Sequence, residues 1–119
     1  MKAYTDLEQS KKLAEILPLE SADMYLWSSG KRYYIEAMDD GDFNEEEGHV
    51  RAWSLAALLN AVDFNTINLH YDNAKIDWVA SATIHDSTKH CTKYESTRAL
   101  NPVDACVEMI IKLNELKML

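Results

Sequence analysis

Apolar positions recur at helical spacing near both ends of the chain and alternate with polar ones between. Leu7, Leu13, Ala14, Ile16 and Leu17 keep the helical interval until Pro18 interrupts it. Thr5 and Glu8 have the spacing of a capping box, so a first amphipathic helix is predicted over Asp6 to Leu17. Two aromatic-rich runs follow, Asp23 to Trp27 and Arg32 to Ala37, separated by Ser28-Ser29-Gly30-Lys31. Gly30 can adopt the positive φ that a tight turn needs, and the pair reads as a β-hairpin with Tyr25 and Trp27 on one strand and Tyr33, Tyr34 and Ile35 on the other.

The densest apolar stretch is AWSLAALLNAV, Ala52 to Val62, in which only Ser54 and Asn60 are polar. On a helix, Trp53, Leu55, Ala56, Ala57, Leu58, Leu59 and Val62 point in nearly every direction, the pattern of a buried helix around which the rest is built. Asn44 is placed to cap its start, with Glu45, Glu46 and Glu47 in the first turn complementing the helix dipole. Alternation returns in Thr66 to Tyr71 and Lys75 to Ile84, with Asp72-Asn73-Ala74 as the turn between them. Lys89 to Glu95 is a weaker fifth strand, small and charged enough for a sheet edge. Asn101 as cap and Pro102 at the first helical position open a last helix with Val103, Cys106, Val107, Ile110, Ile111 and Leu113 on one face. The order α-β-β-α-β-β-(β)-α predicts an α+β fold: an antiparallel sheet of four or five strands packed with three helices, in one domain over residues 1–119.

Charge narrows the function classes. The net charge is −8, and six of the twenty acidic residues (Asp39, Asp40, Asp42, Glu45, Glu46, Glu47) crowd into one segment, leaving fourteen acids against twelve bases elsewhere. No basic stripe exists to neutralise phosphates, so nucleic acid is not an expected partner. The first seventeen residues contain no continuous apolar run; neither a secretory signal nor a membrane span is predicted, and a cytoplasmic location follows. Two cysteines, Cys91 and Cys106, do not make a disulfide framework, and Cys106 falls on the apolar face of the last helix.

Catalytic and cofactor signatures are missing, and no cofactor is expected. His85, His90 and Cys91 fall within seven residues but lack the paired short spacing of a closed zinc site. Asp39, Asp40 and Asp42 do not align with the glycine and final glutamate of a calcium loop. With only Gly30, Gly41 and Gly48, the chain has no phosphate-cradling loop. An enzyme would have to join His70, His85 or His90 to a carboxylate such as Asp77 or Asp86. The stronger candidates for contact are the hairpin rings Tyr25, Trp27, Tyr33 and Tyr34, which form a patch if one face is left uncovered by a helix, and the acidic residues Asp39, Asp40, Asp42, Glu45 and Glu46, which would meet a basic surface.

Three separate blocks, KLAEILPLESADM (Lys12 to Met24), AWSLAALL (Ala52 to Leu59) and NPVDACVEMIIKL (Asn101 to Leu113), together resemble a family of short hypothetical proteins from gut Bacteroidales phages and integrated mobile elements. They cover about a third of the chain in the family's order. Arg51-Ala52 stands where that pattern often has Pro-Cys, so no cysteine role is carried over. The resemblance implies no activity, but its context implies a small non-enzymatic protein that binds a host or phage protein. One alternative is a small-ligand or nucleotide-binding protein, with a pocket of Trp and Tyr and a cation such as Lys31, Arg32 or Arg98 turned inward. The other, an acidic DNA mimic, needs carboxylates spread at phosphate-like intervals and fits the single acidic segment less well.

Overall fold

Helix starts and tight turns come directly from local side chains. In the computed structural model, which describes residues 2–38, 42–62, 67–86 and 91–116, helix α1 spans Leu7–Ala14. Its capping box is formed by Asp6 and Gln9, each side chain accepting the other's backbone N–H. The predicted Thr5–Glu8 pairing is therefore displaced by one residue, because Thr5 is fully buried and its hydroxyl is engaged elsewhere. Strands β1 (Met24–Ser28) and β2 (Tyr33–Ala37) form the expected antiparallel hairpin, with Gly30 at φ +101° in the turn.

The segment before the central apolar stretch departs from expectation. Asn44 does cap a helical turn, accepting a hydrogen bond from the Glu46 N–H, but this is a single 3₁₀ turn over Glu45–Glu47 ended by Gly48 in the left-handed region. Val50–Ala52 then form a short strand, β3, on the second edge of β1, and helix α2 begins only at Leu55, capped by the Ser54 hydroxyl, and runs to Ala61. Trp53 thus sits outside the helix, and Ala56 is exposed rather than buried. Strands β4 (Ile67–Asp72), β5 (Asp77–Asp86) and β6 (Cys91–Ala99) form a meander, and helix α3 (Pro102–Glu115) follows, capped by Asn101 as predicted.

Among the described residues the molecule is α+β with three helices and two three-stranded antiparallel sheets, in spatial orders β2-β1-β3 and β4-β5-β6. This corrects the expectation of one sheet of four or five strands: β3, a strand that the apolar pattern did not predict, pairs with β1 in the first set, and α2 separates that set along the chain from the second. Another expectation moves with it. The element around which the fold is built is α3, eight of whose fourteen residues are buried, including Val103, Val107, Met109, Ile110 and Leu113. It lies on one face of the second sheet and also touches α1 and α2, whereas α2 contributes Ala57 and Leu58 to the same core. No helix among the described residues is long and apolar enough to cross a membrane.

The first sheet is attached through a junction at Trp53. Its backbone N–H donates to Thr5 Oγ1 (3.1 Å), its carbonyl accepts from the Thr5 N–H (2.9 Å), and its indole Nε1 donates to Ser21 Oγ (2.9 Å). Asp23 accepts hydrogen bonds from both the backbone and the hydroxyl of Ser54. The Cα radius of gyration, 15.5 Å, exceeds the ~13.5 Å expected of a compact chain of this length, and the extents are 49 × 35 × 19 Å. The hairpin consequently stands beside the helical core, with β2 packed mainly on β1.

Two local features carry measurable consequences. Ile76, in the β4–β5 turn, has φ +56° and is 71% exposed, an unfavourable conformation for a β-branched side chain with little burial in return. Removing its Cβ relieves about 1–2 kcal/mol of left-handed strain, partly offset by the greater unfolded-state freedom of glycine. Ile76→Gly should raise the thermal midpoint by about 4 °C, read by calorimetry; a lower midpoint would contradict the strain.

At the other end, Lys2 Nζ lies 2.7 Å from Asp104 Oδ1 and 2.9 Å from Asp6 Oδ2, tying the N-terminal segment to the start of α3. Burial alone would raise the Asp104 carboxyl, but hydrogen bonds from Lys2, Gln9 and Asn101 outweigh it and hold the group below its ordinary value. Asp6 is held low in the same way, burial being outweighed by the Gln9 N–H and Lys2. Groups depressed on folding stabilise the fold above the ordinary carboxylate range and lose that contribution as pH falls through the folded values. Asp104→Asn should therefore destabilise at pH 7 and lose less stability than the parent on acidification below about pH 4, as measured by urea unfolding at both pH values.

Candidate functional site

Alternation in a pleated sheet divides the hairpin side chains between two faces, and register decides which neighbours they meet. Tyr25 pairs with Glu36 on one side and Arg51 on the other, and Trp27 pairs with Tyr34, so these five share one face of the first sheet. Leu26 pairs with Ile35 and Val50, Met24 with Ala37 and Ala52, and Ser28 with Tyr33, which places Tyr33 on the opposite face. The four hairpin aromatics singled out from the sequence do not form one patch. Tyr25, Trp27 and Tyr34 belong together; Tyr33, though 49% exposed, points away from them.

Among the described residues no helix packs over the face that carries Trp27 and Tyr34. Part of it is covered by the loop before β3: His49 stacks on Tyr25 with centroids 5.0 Å apart, Phe43 meets Tyr25 edge-on at 5.7 Å, and the Arg51 guanidinium lies 4.5 Å from the Phe43 ring centre. Tyr25 is buried as a result. The His49 ring is oriented by the Asn44 N–H, which donates to its Nδ1 (3.0 Å) and so fixes the proton of the neutral imidazole on Nε2. Beyond this cluster Trp27 and Tyr34 stack on each other at 4.7 Å, with Tyr34 40% exposed.

Between the two aromatic groups lies an open groove of about 370 Å³, lined by Tyr25, Trp27, Glu36, Asp42 and His49. Its charge is negative. The nearby cation, Arg51, is already paired with Glu45, and among the described residues Glu36 and Asp42 have no ion-pair partner. Carboxylates beside the faces of tyrosine and tryptophan rings favour a cation, the carboxylate by direct attraction and the ring by its quadrupole. A second recess of about 430 Å³, bordered by α1 and β3, is lined by Lys11, Ala14, Leu19, Glu45, His49, Val50 and Arg51; it holds no tyrosine or tryptophan, and its carboxylate, Glu45, is paired with Arg51.

The acidic residues expected to act together are also divided. Asp42 lines the groove, Glu45 is spent on Arg51, Glu46 is exposed away from it, and Asp39 and Asp40 lie outside the described residues. Lys31 and Arg32 are exposed at the hairpin turn, and Arg98, on the second sheet, is held by Asp72 and Asp77 at 2.9 Å each. None of these three cations lines the groove. His90 lies outside the described residues, and His85 and Cys91 are described only as backbone in β5 and β6. Among the described residues no group of three or more His, Cys, Asp or Glu is placed to hold a metal ion. Cys106 is fully enclosed in α3's buried face, and burial pushes its thiol up to about 11.

Sequence reasoning missed Glu36, Phe43 and His49 as members of this site. Glu36 had a signal: a turn at Gly30-Lys31 sets it opposite Tyr25. Phe43 and His49 arrive from a loop and had none. Comparison with family models, curated proteins and solved structures gives no match. The likeness of the three sequence blocks to phage and mobile-element proteins accordingly stays an expectation.

Proposed function

We propose that the chain acts without catalysing a reaction, by binding a basic region of a partner protein on the uncovered face of its first sheet. The observation that carries this reading is the groove in which Glu36 and Asp42, unpaired among the described residues, stand beside Tyr25, Trp27 and His49. A lysine or arginine entering there gains both carboxylate and ring contacts while its aliphatic stem lies on apolar surface. The net charge of −8 adds a long-range attraction for basic partners that speeds encounter. The sequence resemblance to phage and mobile-element proteins supplies a context in which a host or phage protein is that partner. A nucleotide or other anionic ligand is disfavoured, since Lys31, Arg32 and Arg98 lie away from the groove and its own charges are negative.

Affinity capture from host lysate with the parent chain and with Trp27→Ala/Glu36→Lys tests the reading. Both positions are on the sheet surface, and equal unfolding midpoints establish that the variant is folded. A protein retained by the parent and lost by the variant is the expected outcome. Equal retention by both, or no specific retention by the parent, rejects it.

A further inference from the structure

The edge of the first sheet indicates how such a partner is held. In an antiparallel ladder, residues alternate between those that exchange hydrogen bonds with the neighbouring strand and those whose N–H and C=O point the other way. The Ser29 N–H donates to the Arg32 carbonyl and the Met38 N–H to the Asp23 carbonyl. With the observed register, the pairs that exchange bonds with β1 are then Trp27–Tyr34 and Tyr25–Glu36. Tyr33, Ile35 and Ala37 are left with their backbone N–H and C=O directed outward along an edge of β2 that pairs with no other strand among the described residues. That edge has no proline and one charged residue, Glu36, so it lacks most devices that keep a strand from accepting another.

We infer that β2 accepts an added strand from the partner, an extended segment in which basic and apolar residues alternate. This rests on the proposed function above and specifies its occupant. Main-chain bonds to Tyr33, Ile35 and Ala37 give the segment its hold, and its side chains divide between the two faces. Residues opposite Tyr34 and Glu36 project over the acidic, aromatic face, where lysine or arginine reaches Glu36 and the groove beyond it. Those opposite Tyr33, Ile35 and Ala37 project over the apolar face that continues into Leu26, where valine or isoleucine fits. A second copy of this chain is a poorer occupant. Antiparallel pairing about Ile35 would set two Glu36 and two Asp42 carboxylates on one face between molecules that each carry −8.

The test uses the whole chain and a seven-residue peptide alternating lysine and valine, with its ends blocked, followed by calorimetric titration and amide exchange. Binding is expected, with slowed exchange of the Tyr33, Ile35 and Ala37 amides and about tenfold or greater weakening in Glu36→Lys. Peptides N-methylated at alternate residues provide the decisive comparison: one set, facing the edge, should lose binding, and the other should keep it. Equal binding by both sets, or no slowing at the three amides, overturns strand addition even though the groove reading survives on its own capture experiment. No binding of any peptide overturns strand addition as well. Concentration-dependent dimerisation of the chain through the same amides would assign the edge to a second copy and overturn the proposed occupant.

Discussion

Trp53→Ala is expected to cost about 3–5 kcal/mol of folding stability, the range for truncating a fully enclosed large aromatic. That is a large share of the 5–15 kcal/mol typical of a domain, so the variant should be mostly or marginally unfolded at 37 °C. The side chain has no exposed surface and sits where the loop ahead of β1, the start of α1 and the entry to α2 converge. Its loss leaves a cavity in the core cluster that Trp53 shares with residues of α1, α2, the second sheet and α3. Trp53→Phe keeps most of the volume and removes the indole N–H bond to Ser21, for an expected cost of about 1–2 kcal/mol. Urea unfolding of both variants provides the check. A Trp53→Ala midpoint close to that of the parent would show that this residue does not join the two parts.

The same residue shows what the apolar pattern can and cannot reveal. Trp53 was legible as core because a large ring in the densest apolar stretch has little alternative; its place before the helix was not. Three residues, Val50–Ala52, form a strand only because β1 offers a second edge, a pairing across more than twenty residues that leaves no local trace. Once they are extended, α2 must start late, at Ser54, and is too short to be the organiser. That role falls to α3, whose start was readable because Asn101 and Pro102 satisfy both requirements of a helix beginning within two residues. Local chemistry was also ambiguous by one residue at α1, where Thr5–Glu8 and Asp6–Gln9 fit the same capping pattern. The tie is broken by tertiary structure, which draws Thr5 inward beneath Trp53.

Legibility of the candidate site follows the same division. Tyr25, Trp27 and Tyr34 were visible because strand alternation and a glycine turn imply them. The separation of Tyr33 from Tyr34 was implied as well, by the same alternation that puts neighbouring residues on opposite faces. The groove needed the loop that lays Phe43 and His49 over Tyr25, and a loop's course depends on contacts rather than on period. Acidic clustering, the most conspicuous feature of the sequence, turned out to be the least informative. Of its members, Asp42 lines the groove, whereas Glu45 is consumed by Arg51.

Thr5→Val is the second substitution expected to be severe, despite conserving shape. The Thr5 hydroxyl accepts the Trp53 N–H at 3.1 Å and shares a hydrogen bond with the Ser10 hydroxyl at 2.8 Å, and both Thr5 and Ser10 are fully buried. Valine fills the same space but leaves one N–H and one hydroxyl without a partner where water does not reach. At about 1–3 kcal/mol for each such group, the loss should be about 2–6 kcal/mol. Thr5→Ser, which keeps the oxygen and gives up a methyl, should cost only about 1 kcal/mol. Adding Ser10→Ala to Thr5→Val removes one of the stranded groups, so the double variant should be more stable than the sum of the single effects implies, by about 1–2 kcal/mol. Urea midpoints of the three single variants and the double variant close this cycle. Exchange at the Trp53 amide should quicken in Thr5→Val and stay slow in Thr5→Ser. If the two Thr5 variants proved equally stable, the hydroxyl would be incidental and the attachment of the first sheet would rest on the Trp53 ring, the Thr5 N–H bond to the Trp53 carbonyl and the Asp23–Ser54 bonds.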